Sequence, residues 1–186
     1  MPLPWTPVLP ISTPRLLLRP HTADDLDDLL QFHSDPEVVR YLPWPVRSID
    51  EVRFALLAKV PQSRVDSEGQ WLVLAIEVAE DGQPGQVIGE VVLKCESQTE
   101  GEIGFALHAG FQRAGYGYEA ASTMLSLAFG ELALTRVTAT LDARNAASAA
   151  LLEKLGMTRG ALVPDQPFKT ERVDELHYAI DVADYS

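Results

Sequence analysis

Apolar residues follow two different periods along the chain. In the middle of the chain, three short segments are rich in apolar and β-branched residues, and polar stretches separate them. This pattern is typical of strands joined by short loops. We therefore predict an antiparallel meander whose strands span 71–78, 87–94 and 102–107, with a turn at Asp81-Gly82 and Pro84-Gly85.

Helical spacing dominates the regions on either side of this meander. Two segments show a Ser or Thr followed three residues later by an acidic residue, which is a capping box that opens a helix. The predicted helices span about 23–33, 49–59, 116–132 and 146–155, and the other predicted strands span 16–19, 136–141, 157–162 and 173–180. This order predicts an α+β fold with a central mixed, mostly antiparallel sheet flanked by helices.

The size and composition fit one folded unit. The chain has 186 residues, of which 46% are hydrophobic and 23% charged, as in ordinary globular domains. Residues 1–14 carry five prolines, which fix φ and remove backbone donors. We therefore predict an extended lead-in over 1–14 and a single domain over 15–186.

Charge and cysteine content exclude several classes of protein. A net charge of −12 argues against nucleic-acid binding and favours a cationic partner. The sequence has no apolar run of membrane-spanning length and no signal-peptide pattern, so we expect a cytoplasmic protein without a membrane partner. One cysteine and four scattered histidines offer no metal-ligand pattern, so we expect no metal.

The most informative segment links the third meander strand to the long helix. It reads Gln112-Arg113-Ala114-Gly115-Tyr116-Gly117. Two glycines here let the backbone approach a ligand closely, and the free N–H groups of a helix start attract an anion such as a pyrophosphate. A tight turn with no ligand is the simpler interpretation, and the spacing alone does not choose between them.

Two nucleotide-binding motifs compete for the same segment. The phosphate loop of nucleotide hydrolases needs Gly-Lys-Ser/Thr, whereas Tyr118 and Glu119 follow Gly117 here. Gly115-x-Gly117-x-x-Ala120 does fit the dinucleotide fingerprint, but that fingerprint belongs near the start of alternating β-α units. A nicotinamide-dependent oxidoreductase is therefore the weaker alternative.

Gln112-x-x-Gly115-x-Gly117 is similar to the acetyl-coenzyme A motif of the GCN5-related N-acetyltransferases, the GNAT family. Further segments, in the family's order, resemble its RimJ/RimL-like branch, which acetylates the N-termini of ribosomal proteins. These segments are Thr13-Pro14-Arg15-Leu16, Glu102-Ile103-Gly104-Phe105, Gly115-Tyr116-Gly117-Tyr118-Glu119-Ala120, Leu134-Thr135-Arg136-Val137, Asn145-Ala146-Ala147-Ser148 and Glu153-Lys154-Leu155-Gly156-Met157.

The resemblance implies a GNAT fold and direct transfer of an acetyl group from acetyl-coenzyme A to an amine. The strand at 102–107 would splay from the next strand and offer backbone groups to the pantetheine arm. The residues implied in coenzyme binding are Phe105, Ala106, Leu107, Gln112, Arg113, Ala114, Gly115, Tyr116, Gly117, Asn145 and Ser148.

The chain departs from the family pattern at two positions. Many relatives carry a Tyr that protonates the leaving thiolate, and Leu152 stands at the corresponding position. Ser148, which matches a serine of the RimJ/RimL-like branch, would donate to the sulfur instead, or it would only satisfy a helix start. Arg113 replaces a frequent glycine and would contact a phosphate or point into solvent. The missing Tyr leaves a coenzyme-binding module without turnover as an alternative.

The general base and the acceptor are less determined by the sequence. Glu102 and Glu90 on neighbouring strands are the candidate bases, and His108 is a third. Tyr41 and Trp44 resemble the family's substrate-side loop. The acceptor would be a protein N-terminal α-amine or a small-molecule amine, bound by a monomer or homodimer.

Overall fold

A mixed sheet of eight strands forms the centre of the part of the chain that the computed structural model describes, residues 3–78 and 85–185. Its spatial order is β1-β2-β3-β4-β5-β6-β8-β7. The strands are β1 (Ile11–Ser12), β2 (Leu16–Arg19), β3 (Trp71–Val78), β4 (Val87–Cys95), β5 (Glu100–Leu107), β6 (Arg136–Asp142), β7 (Thr158–Phe168) and β8 (Glu171–Asp181). The helices are α1 (Leu26–His33), α2 (Pro36–Val39), α3 (Ile49–Lys59), α4 (Tyr116–Phe129) and α5 (Ala146–Lys154).

The predicted meander and fold class are confirmed. Strands β3, β4 and β5 pair antiparallel in sequence order, and the predicted bounds hold within about two residues. Only β5 and β6 pair in parallel among the described strands, because α4 carries the chain back across one face of the sheet. The predicted turn at residues 81–85 lies, except for Gly85, outside the described residues.

Alternation along the strands separates two apolar clusters, one on each face of the sheet. Leu74 and Ile76 pack in the larger cluster with the apolar side of α4. Ala75, between them, belongs to the smaller cluster beneath α1 and α3. Successive side chains of a strand point to opposite faces, so β3 is covered by helices on both sides.

Two element ends differ from the prediction. Helix α4 ends at Phe129 rather than near residue 132, because Gly130 caps it and the chain then turns back. Strand β7 continues to Phe168 rather than ending near residue 162, and this extension includes Pro164 and Pro167. It is the outermost strand of the sheet, and an edge strand tolerates a missing backbone donor.

The proline-rich start of the chain packs onto the domain where it is described. Trp5 is fully buried, and its backbone N–H donates to the Val65 carbonyl at 2.8 Å. Farther along, β1 extends the sheet by pairing with β2. The proposed boundary at residue 14 stays a prediction. None of the described helices is long and apolar enough to cross a membrane.

Strands β5 and β6 separate soon after they meet. Their parallel register covers three pairs, the last of which joins Glu102 to Thr138. Beyond that pair the strands diverge, so the predicted splay is confirmed. The gap places the second half of β5, the start of α4 and the start of α5 around one cleft, where two cavities meet.

Candidate functional site: a cleft between splayed strands

The glycine turn before α4 presents unpaired backbone donors. Gly115 has a φ of +87°, a conformation that side chains other than glycine strain to adopt. The N–H groups of residues 113–118 donate to no acceptor in the described parts of the chain, and the first helical turn directs them outward. Gln112 fixes the turn from behind, since its side-chain amide donates to the Leu107 carbonyl at 3.1 Å. This geometry suits an anion.

A cavity of about 590 Å³ lies in front of this turn, and we call it the coenzyme cavity. Its charged lining consists of two cations, Arg113 and Lys154, and one acid, Glu37. Most of the predicted coenzyme residues border it. Ala114 and Tyr116 do not border it. The Ala114 carbonyl accepts a hydrogen bond from Arg15, and the Tyr116 ring lies beneath the guanidinium of the same Arg15.

A second cavity, of about 540 Å³, opens on the other side of β5, and we call it the acceptor cavity. Five aromatic residues line it, together with four carboxylates and one cation, Lys59. The aromatic residues are Tyr41, Trp44, Trp71, Phe105 and Phe168, and the acids are Glu90, Glu102, Asp142 and Glu175. Of this set the sequence predicted Tyr41, Trp44, Glu90 and Glu102 as acceptor or catalytic residues and Phe105 as a coenzyme residue.

Six residues border both cavities where the cleft narrows: Tyr41, Leu42, Phe105, Ala106, Asn145 and Ser148. The Asn145 side chain caps α5 by accepting from the Ser148 N–H at 3.1 Å. The Ser148 hydroxyl, by contrast, has no hydrogen-bond partner within the described residues. Leu152 lies one turn further along and is 1% exposed, so it offers only apolar surface.

Both candidate bases point to the same face of the sheet. In the β4–β5 register, Lys94 stands opposite Glu102, and Ala106 stands opposite Glu90. Because directly paired residues share a face, the two carboxylates lie along the same wall of the acceptor cavity. Alternation in the sequence could not decide this, since it depends on the register between two strands.

The two carboxylates have different electrostatic surroundings. Burial raises the pKa of Glu102 above its ordinary value, and the neighbouring Thr140 hydroxyl offsets this only in part. Glu90 is 2% exposed, and burial would raise its pKa too, but Lys59 and two histidines hold that pKa well below its usual range. Glu102 is therefore the carboxylate with the greater affinity for a proton.

Glu90 belongs to a buried charge network beneath the aromatic wall. It contacts the Lys59 ammonium directly, and its oxygens lie 3.2 Å from His21 Nε2 and 3.6 Å from His33 Nε2. His21 also lies 3.2 Å from an Asp25 oxygen. Trp44 stacks on His33 at a ring distance of 5.2 Å. The network fixes α1 and α3 against β4.

Several contributors to the cleft were not predicted from the sequence. Lys154 lies over the Tyr118 ring at 4.5 Å beside the coenzyme cavity. Glu175 enters the acceptor cavity from β8, on the same strand face as Val173. The β7–β8 hairpin also contributes Phe168, and Lys169 ties it to α2 by donating to the Val39 carbonyl at 2.6 Å. His108 borders neither cavity, and its ring accepts from the Gly110 N–H at 3.0 Å.

The mixed sheet, its splayed strands and the glycine turn before α4 match the architecture expected from the sequence for an acyltransferase of the GNAT type. A family model described as an acetyltransferase (GNAT) domain matches residues 15–158. The chain is also 30% identical over 171 residues to the uncharacterized N-acetyltransferase YnaD of Bacillus subtilis (strain 168), covering 91% of this chain and 95% of that protein. The chain therefore belongs to the GNAT acetyltransferase family, as predicted.

Solved structures agree with this assignment. A GNAT-family acetyltransferase from Bacillus anthracis superposes with a TM-score of 0.82 at 26% identity, over 93% of this chain and 98% of that one. A candidate ribosomal-protein-serine acetyltransferase from Vibrio cholerae gives a TM-score of 0.75 at 24% identity, over 95% and 99% of the two chains. At that identity the second likeness shows the fold alone.

Proposed function

We propose that this protein transfers an acetyl group from acetyl-coenzyme A to a primary amine, with both substrates bound together. The observation that carries the proposal is the meeting of the two cavities at Ser148. One cavity offers free backbone donors for a pyrophosphate, and the other offers carboxylates and aromatic walls for an amine. GNAT acetyltransferases take their acetyl group from acetyl-coenzyme A, and the coenzyme cavity suits that ligand.

In this proposal the coenzyme binds mainly to the backbone. The N–H groups of residues 113–118 hold the pyrophosphate, and the half of β5 that has left β6 pairs with the pantetheine arm through Phe105, Ala106 and Leu107. The thioester then lies near the narrowing beside Asn145 and Ser148. Arg113 and Lys154 add charge-assisted contacts to phosphates.

We assign the proton-accepting role to Glu102. An amine attacks only after losing its proton, and a carboxylate of raised pKa is better matched to that task than one held by a lysine. Glu102 takes the proton of the ammonium directly or through a water, the free amine nitrogen then bonds to the acetyl carbon, and the carbon–sulfur bond breaks. The departing thiolate takes up the second proton that the nitrogen loses as the amide forms. The Ser148 hydroxyl donates a hydrogen bond to the departing sulfur.

We further propose an N-terminal α-amine as the acceptor, as in the RimJ/RimL-like branch. An α-amine has an ordinary pKa near ~8, whereas a lysine amine has one near ~10.4, so the α-amine needs less help from a base at neutral pH. The segments that resemble this branch support the choice.

The test is a substrate screen on the purified protein. Acetyl-coenzyme A should raise the melting temperature and NAD should not. Thiol release should then be followed with a panel of N-terminal peptides, their Nα-blocked counterparts and small amines. Stabilisation without thiol release from any amine would indicate a coenzyme-binding module, and stabilisation by NAD alone would indicate an oxidoreductase. Release only with small amines would move the acceptor out of the peptide class.

A further inference from the structure

The segment before β2 is fastened to the first turn of α4. The Glu119 carboxylate accepts from the Thr13 hydroxyl at 2.6 Å and from the Arg15 N–H at 2.9 Å. Its other oxygen accepts from Arg15 Nε at 2.7 Å. These groups are more than 100 residues apart in the chain, so only the fold brings them together.

The same guanidinium also contacts the glycine turn. Arg15 Nη1 donates to the Ala114 carbonyl at 2.9 Å, and the guanidinium carbon lies 4.5 Å from the centre of the Tyr116 ring. Arg15 Nη2 is so close to Gly115 that a Cβ there would stand 3.2 Å from it. One side chain therefore joins the turn to the acid behind it.

Glu119 creates an electrostatic problem for an anion at this turn. Burial would raise its pKa, but the hydrogen bonds from Thr13 and Arg15 hold that pKa below its ordinary value, so Glu119 is ionised at neutral pH. A negative charge in the first turn of a helix competes with a phosphate for the positive end of the helix dipole. Arg15 lies between this charge and the turn and neutralises it.

We propose that Arg15 is a positioning residue for the coenzyme: it holds the 112–117 turn through the Ala114 carbonyl and neutralises Glu119, so that a pyrophosphate can bind at the start of α4. This inference rests on the proposed function, because it needs acetyl-coenzyme A as the ligand of the turn. The residues of the turn do not themselves neutralise Glu119, and Arg15 supplies that neutralisation from outside the turn.

The experiment compares two ligands across a small set of charge variants. Titration calorimetry measures the Kd of acetyl-coenzyme A and of acetyl-pantetheine, which lacks every phosphate. The variants are Arg15→Gln, Arg15→Lys, Glu119→Gln and the double variant Arg15→Gln/Glu119→Gln. Arg53→Ala is the matched control, because Arg53 is a similarly exposed arginine paired with Asp50 on α3, outside both cavities. Circular dichroism and melting temperature check that each variant is folded.

Arg15→Gln should raise the Kd of acetyl-coenzyme A about tenfold at low salt. The Glu119 charge, no longer neutralised, would repel the pyrophosphate through the intermediate dielectric near the protein surface. The Kd of acetyl-pantetheine should change less than about twofold, since that ligand carries no phosphate charge. Arg15→Lys should keep most of the affinity, and the double variant should recover at least half of what Arg15→Gln loses.

Two outcomes would overturn the inference while leaving the proposed function intact. In one, Arg15→Gln binds acetyl-coenzyme A like the native protein. In the other, the two ligands lose affinity equally and removing the Glu119 charge recovers nothing, which is the behaviour of a purely structural contact. If the native protein itself fails to bind acetyl-coenzyme A, the proposed function falls first and the role of Arg15 with it. Should Arg15→Gln fail to fold, Arg15→Lys and Glu119→Gln carry the comparison.

Discussion

The two cavities of the cleft are built on opposite principles. The coenzyme cavity offers mainly backbone groups, and its charged lining is two cations and one acid. The acceptor cavity offers mainly side chains, and its charged lining is four acids and one cation. Under the proposed function, a chain with a net charge of −12 would hold a polyphosphate through local backbone dipoles, while the four carboxylates of the acceptor cavity would face a cationic amine.

This difference predicts which changes each cavity tolerates. A site made of backbone donors depends on a few dihedral angles and is insensitive to most side-chain substitutions. A site made of side chains depends on the charge and pKa of individual groups. The following substitutions probe this contrast, in order of decreasing effect.

Gly115→Asp should abolish tight coenzyme binding. A side chain at a φ of +87° strains the turn, and its Cβ would stand 3.2 Å from Arg15 Nη2, so the added carboxylate would compete for the guanidinium that holds the turn. Losing two hydrogen bonds to a charged ligand, at about 1.5–3 kcal/mol each, predicts roughly a 10³-fold rise in Kd for acetyl-coenzyme A, measured by calorimetry.

The control is Gly69→Asp, which places the same residue at a φ of +83° in open space away from both cavities. The same backbone strain should lower its melting temperature by a similar amount, but the variant should bind acetyl-coenzyme A like the native protein. Equal losses in both variants would mean that strain alone, and not the turn's contact with the coenzyme, explains the effect.

Glu102→Gln should lower kcat about 10²-fold, the usual contribution of a general base. Since burial raises the pKa of Glu102, its carboxylate takes up a proton at a higher pH than an ordinary glutamate does. In the native protein kcat/KM should fall as the pH drops through that raised pKa, and the variant should lack this limb of the profile.

Glu90→Gln tests the other candidate base, and its result is to be compared with that of Glu102→Gln. It leaves Lys59 buried without its counter-charge, which predicts a loss of about 3 kcal/mol in the free energy of unfolding, measured with urea. The acid limb of the pH profile should remain. If the limb disappears with Glu90 and persists without Glu102, the assignment of the base must be reversed.

Ser148→Ala should have the smallest of these effects. The Asn145 cap uses the Ser148 backbone N–H, so the hydroxyl can be removed without opening the start of α5. Loss of one hydrogen bond to the departing sulfur predicts about a tenfold lower kcat with little change in the Kd of acetyl-coenzyme A. An unchanged single-turnover rate would leave Ser148 without a part in the chemistry.

Features that depend on neighbouring residues were predicted well from the sequence. The two capping boxes, the helix start near residue 146 and the glycine turn at 112–117 all use contacts within a few positions. Strand bounds in the meander followed from alternation and composition. Among the described strands, β7 differs most from its predicted span, because the sequence does not reveal that it lies at an edge, where Pro164 and Pro167 are tolerated.

Features that depend on topology could not be predicted. Alternation placed Glu90 and Glu102 on strand faces, but only the β4–β5 register shows that they share one. Glu175 and Lys154 reach the cleft because β8 lies beside β6 and α5 begins at the splay. The contacts between Arg15 and Glu119 join segments with no local relation in sequence.

The position of β7 at the outer edge has a consequence for how this scaffold can change. Most of its residues are exposed, yet it supplies Pro167 and Phe168 to the wall of the acceptor cavity. Substitutions on exposed surface usually alter stability by only about ±0.5 kcal/mol. Under the proposed function, the choice of acceptor could change along this rim at little cost in stability, while the 112–117 turn stays fixed by its contacts with Arg15 and α4.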